Sequence, residues 1–292
     1  MPECAERKLV RPVLWVIALL LAGSSHAEPR LIGSYVWEVD HPRFGGFSGV
    51  VVTDAGREFI AVSDRGAFAT GTITRKEGII TNIALGVLYP FYRGNRAPLP
   101  PDESDSEGLA IAEDGTLFVS FEWTHGVRSF AGIDQPASAL ITTPAFDDMQ
   151  TNSSLEALAI GPDGALYTLP ERSGLATKPF PVFRYKDGVW DQPFEIARRG
   201  PYLMSGADIG PDGMLYVLER DFFGIGFRSR VRRFGLDGTG EELILETGVL
   251  THDNLEGISV WEDDAGLVMT LISDDNFRAF QRTEFVEYRL TD

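Results

Sequence analysis

Five chemistry-bearing positions recur along this chain at nearly equal spacing. They are Ser48, Glu107, Glu156, either Ser205 or its neighbour Gly206, and Glu256. Each begins a similar segment: FSGVVVTDAGREFIAVSDRG from Phe47, SEGLAIAEDGTLFVSFEWTH from Ser106, LEALAIGPDGALYTLPERSG from Leu155, SGADIGPDGMLYVLERDF from Ser205 and LEGISVWEDDAGLVMTLISDDNF from Leu255. With Gly206 as the fourth member, the separations are 59, 49, 50 and 50 residues. If the fold gathers these positions, three carboxylates share one place, and at low effective dielectric either their pKa values rise or a cation sits among them. Glu and Ser oxygens, helped by carbonyls and water, suit Ca2+ better than zinc or copper. A central calcium is therefore expected. The competing reading is that the glutamates brace neighbouring strands through backbone hydrogen bonds.

A second set of polar residues ends each segment: Asp64-Arg65, Glu122, Glu171-Arg172, Glu219-Arg220-Asp221 and Asp274-Asp275. Among these, Asp64, Glu122, Glu171 and Glu219 are candidate general bases. Arg65, Arg172 and Arg220 offer bidentate forks to a phosphate or carboxylate, against the competing reading of a salt-bridge network. The first separation is about ten residues longer than the others, the excess falling in PFYRGNRAPLPPDESD from Pro90, which reads as a surface loop. Its Arg93 and Arg96 are candidate lid residues over an anion. His41, His125 and His252 are scattered and read as hydrogen-bonding residues. GGFSG around Ser48 places its glycines wrongly for a nucleophile elbow, and no CxxC, HExxH or phosphate-loop pattern occurs in a supporting context.

These residues need a scaffold that repeats. Every segment is a short apolar run, an Asp-Gly-type turn and a second apolar run, with Asp114-Gly115, Asp163-Gly164, Asp212-Gly213, Ala55-Gly56 and Ala265-Gly266 at the turns. That is the pattern of an antiparallel hairpin. A period near 50 residues with about four strands per unit predicts an all-β chain folded as a β-propeller of five four-stranded antiparallel blades, six being the alternative. The last unit lacks one strand-like run, and Leu31 to Val39 supplies a spare one before the first unit. Pairing that N-terminal strand into the final blade closes the ring and removes free sheet edges. In a propeller the inner strands line a central channel, so the two sets of residues meet at its mouth.

Composition limits the function. The 292 residues carry 43 Asp+Glu against 26 Lys+Arg, a net charge of -17, which disfavours nucleic-acid backbones and anionic membrane surfaces. Residues 1–27 read as a signal peptide, with Arg7, Lys8 and Arg11 before an apolar stretch and Ser25-His26-Ala27 at the cleavage site. Residues 28–292 then form one periplasmic or secreted domain. The single cysteine, Cys4, leaves with the signal, so no disulfide supports the fold. Neither a protein partner nor a membrane anchor is predicted.

The motifs SDRG at Ser63, DSEGLAI at Asp105, LEALAI with PERSG at Leu155 and Pro170, and NLEGISV with SDDN at Asn254 and Ser273 resemble the bacterial phytase-like family, named for esterase-like activity of phytase. The resemblance implies hydrolysis of phosphate or other esters. The axial series is also similar to that of the calcium-activated nucleotidases (apyrases), which implies Ser48, Glu107, Glu156, Ser205 and Glu256 as calcium ligands, direct or through water. The expected function is a calcium-dependent hydrolase acting on a small anionic phosphate ester. The PDG-x-LY hairpins at Pro162 and Pro211 resemble those of gluconolactonase-like propellers, so a lactonase or carboxylic esterase is the second reading. A non-catalytic binding propeller with structural calcium is the third.

Overall fold

A two-strand hairpin with one apolar face cannot bury that face alone, so successive hairpins must stack on one another. The computed structural model describes residues 1, 28–150 and 153–291; apart from Met1, the signal-peptide segment and its cleavage site lie outside the described residues. The first strand, β1 (Arg30–Val36), is separated from the blade that follows it in sequence. Blade one comprises β2 (Phe47–Thr53), β3 (Glu58–Ser63), β4 (Ala67–Lys76) and β5 (Ile79–Pro90). Blade two comprises β6 (Ser106–Ile111), β7 (Leu117–Phe121) and β8 (Gly126–Phe130). Its fourth place is taken by residues 138–141, which bond to Ser129 and Val127 of β8 through Ser138 and Ile141. Blade three comprises β9 (Leu155–Ile160), β10 (Leu166–Pro170), β11 (Phe180–Lys186) and β12 (Val189–Ile196). Blade four comprises β13 (Leu203–Ile209), β14 (Leu215–Phe222), β15 (Phe227–Phe234) and β16 (Glu242–Glu246). Blade five comprises β17 (Asn254–Asp263), β18 (Gly266–Asp274), β19 (Glu284–Arg289) and, at its outer edge, β1.

The chain is thus an all-β propeller of five antiparallel blades, closed by its N-terminal strand as the repeat predicts. Closure pairs Arg30 with Arg289 and Val36 with Glu284. The junction is sealed by aromatic side chains. Trp37, 1% exposed, stacks on Phe47 at 5.1 Å and meets Phe44, Phe59 and Phe285 edge-on at 4.7 to 5.7 Å. Arg75 of β4 and Glu287 of β19 add a buried ion pair between blades one and five.

Each inner strand carries a β-bulge near its start, and the bulged residue is the recurring one found in the sequence. The pairing skips Ser48 in blade one, Glu107 and Gly108 in blade two, Glu156 in blade three, Ser205 in blade four and Glu256 in blade five. A bulge releases one residue from the alternation of faces and re-aims its side chain. This settles the alignment of the fourth unit on Ser205. The residue after the bulge must be small, because adjacent inner strands nearly touch there. A Cβ at Gly49 would lie 2.9 Å from the Glu107 carbonyl oxygen, and one at Gly206 would collide with that of Glu256. The E-G and S-G dipeptides of the repeat record this narrow ring.

Candidate functional site

Above that ring, one cavity of about 380 Å³ is lined by Ser48, Glu107, Glu156 and Glu256 from the bulges, together with Asp64, Glu122, Glu171 and Asp274 from the ends of second strands. Asp105, Ser153, Arg172, Arg220 and Asn276 complete its wall. Hydrogen bonds between blades hold the second-strand ends in place. The Ser106 hydroxyl donates to the Ser63 carbonyl, that of Ser154 to the Glu122 carbonyl, and the Met204 N–H to the Glu171 carbonyl.

Register shows which second-strand residues are equivalent. Ser63, Phe121, Pro170, Glu219 and Ser273 pair with the residue just before each bulge. The next residues are Asp64, Glu122, Glu171, Arg220 and Asp274, so the ring is four carboxylates and one guanidinium. Glu219 is not part of it. Fully buried, it lies across the strand pair from Arg230 and bonds both Arg230 and Arg232 at 2.7 to 2.9 Å. Sequence spacing contains this signal: Glu122, Glu171 and Arg220 each follow their bulge residue by 15 positions, provided that Ser205 is taken as the fourth anchor.

Blade four therefore contributes differently from the rest. The Ser205 hydroxyl donates to the carbonyls of Leu218 and Leu255, at 3.4 and 3.2 Å, and does not line the cavity. Arg220 reaches in instead, contacting Glu256, Asn254 Oδ1 at 3.0 Å and Glu171 at 3.4 Å. Asn254 donates in turn to Glu256 at 2.7 Å.

On the opposite side, from blades one and two, no guanidinium lines the cavity among the described residues. A carboxylate oxygen from each of Asp105, Glu107 and Glu122 lies within 4.8 Å of the other two. Burial, then the Glu156 charge, raises Glu107 well above the usual carboxylate range. Burial likewise pushes Glu156 up to about 8 against the Arg220 guanidinium, and Glu122 up to about 7 with help from Asp105. Asp64 rises to about 8, through burial and then the charges of Asp274 and Asp105. Its Oδ1 is buried without a hydrogen-bond partner. An all-oxygen, acidic donor set with an orphaned carboxylate oxygen fits a hard divalent cation.

The remaining residues singled out in the sequence lie elsewhere. Arg65 stacks over the Phe277 ring, 3.1 Å from its centroid. Arg93 pairs with Glu103 at 2.5 Å, and Arg96 lines a separate small cavity with Tyr89 and Tyr92. Neither covers the axial cavity. Arg172 does line it, its side chain 45% exposed and 3.1 Å from Glu171. His252 is buried and shares a 2.7 Å hydrogen bond with the Tyr288 hydroxyl. Asp105, Asn254 and Asn276 are site residues that the sequence reading left out of its site.

The family model described as phytase-like, esterase-like activity of phytase, matches residues 42–277. No curated protein matches the chain. Similar solved structures include a virginiamycin B lyase from Staphylococcus aureus, 13% identical, covering 89% of each chain with a TM-score of 0.47. A gluconolactonase from Xanthomonas campestris is 15% identical over 83% of this chain and 72% of its own, with a TM-score of 0.44. A calcium-binding regucalcin from Agrobacterium tumefaciens is 12% identical over 84% and 91%, with a TM-score of 0.48.

Proposed function

The chain belongs to the phytase-like family, described by esterase-like activity of phytase, and on that premise we propose that it is an exported, calcium-dependent hydrolase of phosphate esters. The convergence of carboxylates on one cavity, opposed by a guanidinium on one side only, carries this reading. Asp105, Glu107 and Glu122 would hold the ion, with Asp64 and Ser48 beside them and Glu156 within reach. Bound there, calcium supplies charge neutralisation and a Lewis acid toward a phosphoryl oxygen.

The chain's own residues supply the rest. Arg172, exposed at the cavity wall, presents a fork to phosphate oxygens, and Arg220 adds positive charge beneath it. Asp64 is the candidate proton acceptor for the attacking water, since it lines the cavity with one carboxylate oxygen unpartnered. In the reaction the water oxygen bonds to phosphorus and the bond from phosphorus to the alcohol oxygen breaks. The alcohol departs with a proton, leaving inorganic phosphate. Among the described residues no helix is long and apolar enough to cross a membrane.

The test is phosphate release by the calcium-loaded protein from a panel of monoesters, run beside lactones and acyl esters. Release that is lost on chelation and reduced at least a hundredfold in Asp64→Asn, roughly the scale of general-base loss, supports the proposal. Turnover of lactones or acyl esters alone would move it to carboxylic esters. No turnover, with calcium raising the melting temperature, would leave a binding propeller.

A further inference from the structure

The axial cavity shares a wall with a second one of about 650 Å³, between the hairpin joining β14 to β15 and the loop joining β18 to β19. Glu171, Arg172, Arg220, Glu256 and Asn276 line both. Their outer walls differ in kind. Carboxylates dominate the axial cavity, whereas Phe222, Ile225, Leu250 and Phe280 rim the second and stand 59%, 76%, 62% and 80% exposed. Four large apolar side chains left in water around one concavity mark a binding surface. The volume falls in the range of small-molecule sites, about 300 to 1,000 Å³.

The rim is also held in place. Leu250 and Asn276 adopt left-handed backbone conformations, with φ of 65° and 48°. Side chains larger than glycine persist there only where their surroundings impose it. The Leu250 N–H donates to the Phe227 carbonyl at 2.9 Å, and Gly226 packs so closely on Leu250 that a Cβ would collide with it. The hairpin and the 250 region therefore form one wall.

We propose that this second cavity binds the alcohol portion of the ester as an aromatic or branched aliphatic group, with the phosphate lying over the shared wall at Arg172 and Arg220. This substrate class rests on the hydrolase reading above. A polyhydroxylated, uniformly charged substrate leaves the four apolar side chains in water, whereas an aryl or alkyl ester covers them and keeps its charge beside the arginines. Arg278 and Arg282 also line this cavity, against Asp221 and Asp253, and the Arg278 guanidinium lies 5.9 Å from the Phe280 ring.

The test compares 1-naphthyl phosphate with glycerol 1-phosphate on the calcium-loaded full chain, by calorimetric Kd and by KM. Ile225→Ser and Phe280→Ala are the variants, chosen because both side chains are exposed and their removal leaves the core intact, which melting curves check directly. Burying an aryl face predicts naphthyl phosphate to bind at least about tenfold tighter than glycerol 1-phosphate. The double variant loses that margin and keeps its affinity for glycerol 1-phosphate. Equal affinity in the native protein, or an unchanged margin in the double variant, overturns the proposal. Its failure is separable from that of the hydrolase reading. Naphthyl phosphate bound through these residues but never hydrolysed retains the cavity and rejects the enzyme, whereas calcium-dependent hydrolysis of both esters without preference does the reverse.

Discussion

Replacing Arg220 by Met removes the one guanidinium of the second-strand ring while keeping most of its bulk. Arg220 faces Glu171 at 3.4 Å and also contacts Glu256. At an effective dielectric of 20, a unit pair at that distance attracts by roughly 5 kcal/mol, much of it offset by desolvation. Deleting one partner leaves the other charges uncompensated, which costs about 3 to 5 kcal/mol when the pair is buried. The side chains of Arg220 and Glu171 retain 17% and 10% exposure, so the low end applies, about 3 kcal/mol. For a chain of this size that lowers the melting temperature by roughly 6 to 12 °C. Calcium at about 100 times its Kd contributes about 2.7 kcal/mol, enough to restore most of the loss. Calorimetric melting of Arg220→Met and native protein, each with chelator and with calcium, measures both effects. If the chelated variant melts with the native protein, Arg220 does not neutralise the cavity. If calcium moves neither, the cavity holds no calcium.

Three further outcomes are expected. The folded pKa values of about 8 for Glu156 and Asp64 and about 7 for Glu122 lie above their unfolded values, so between about pH 4 and 8 the folded state binds the extra protons and the metal-free protein loses stability as pH rises. Calcium displaces those protons and should bind more tightly at about pH 8 than at about pH 6; a calcium-induced melting shift of equal size at both would count against the assignment. Glu219→Gln should destabilise by about 3 to 5 kcal/mol by leaving the buried Arg230 and Arg232 without their shared carboxylate, while a chelator titration shows calcium affinity unchanged. Trp37→Ala should cost about 3 to 5 kcal/mol in urea unfolding, because the ring is latched where Trp37 packs between blades one and five.

Much of this was legible before the structure. The five units, their hairpin turns, the closing strand and the convergence of Ser48, Glu107, Glu156 and Glu256 all follow from the repeat, since each bulge sits at the same place in its inner strand. The two cavities were not legible as such. Phe222 and Ile225 belong to the hairpin of blade four, Leu250 to the segment before β17 and Phe280 to the loop between β18 and β19, and nothing local announces that blades four and five turn them towards one hollow.

The amino-acid sequence by itself determined the architecture, because alternating strands and turn residues act over a few positions and five similar units can bury their faces only by stacking into a closed ring. It also determined that acidic side chains meet on one axis. The tertiary structure decided what becomes of them in blade four. Glu219 and Arg220 are neighbours on one strand and so alternate between its faces: Glu219, opposite Arg230 in unbroken pairing, joins the buried group with Arg230 and Arg232, and Arg220 turns to the axis. Side chains alternate with a period of two, so pairing register, set by contacts between strands, assigns arginine rather than glutamate to the cavity.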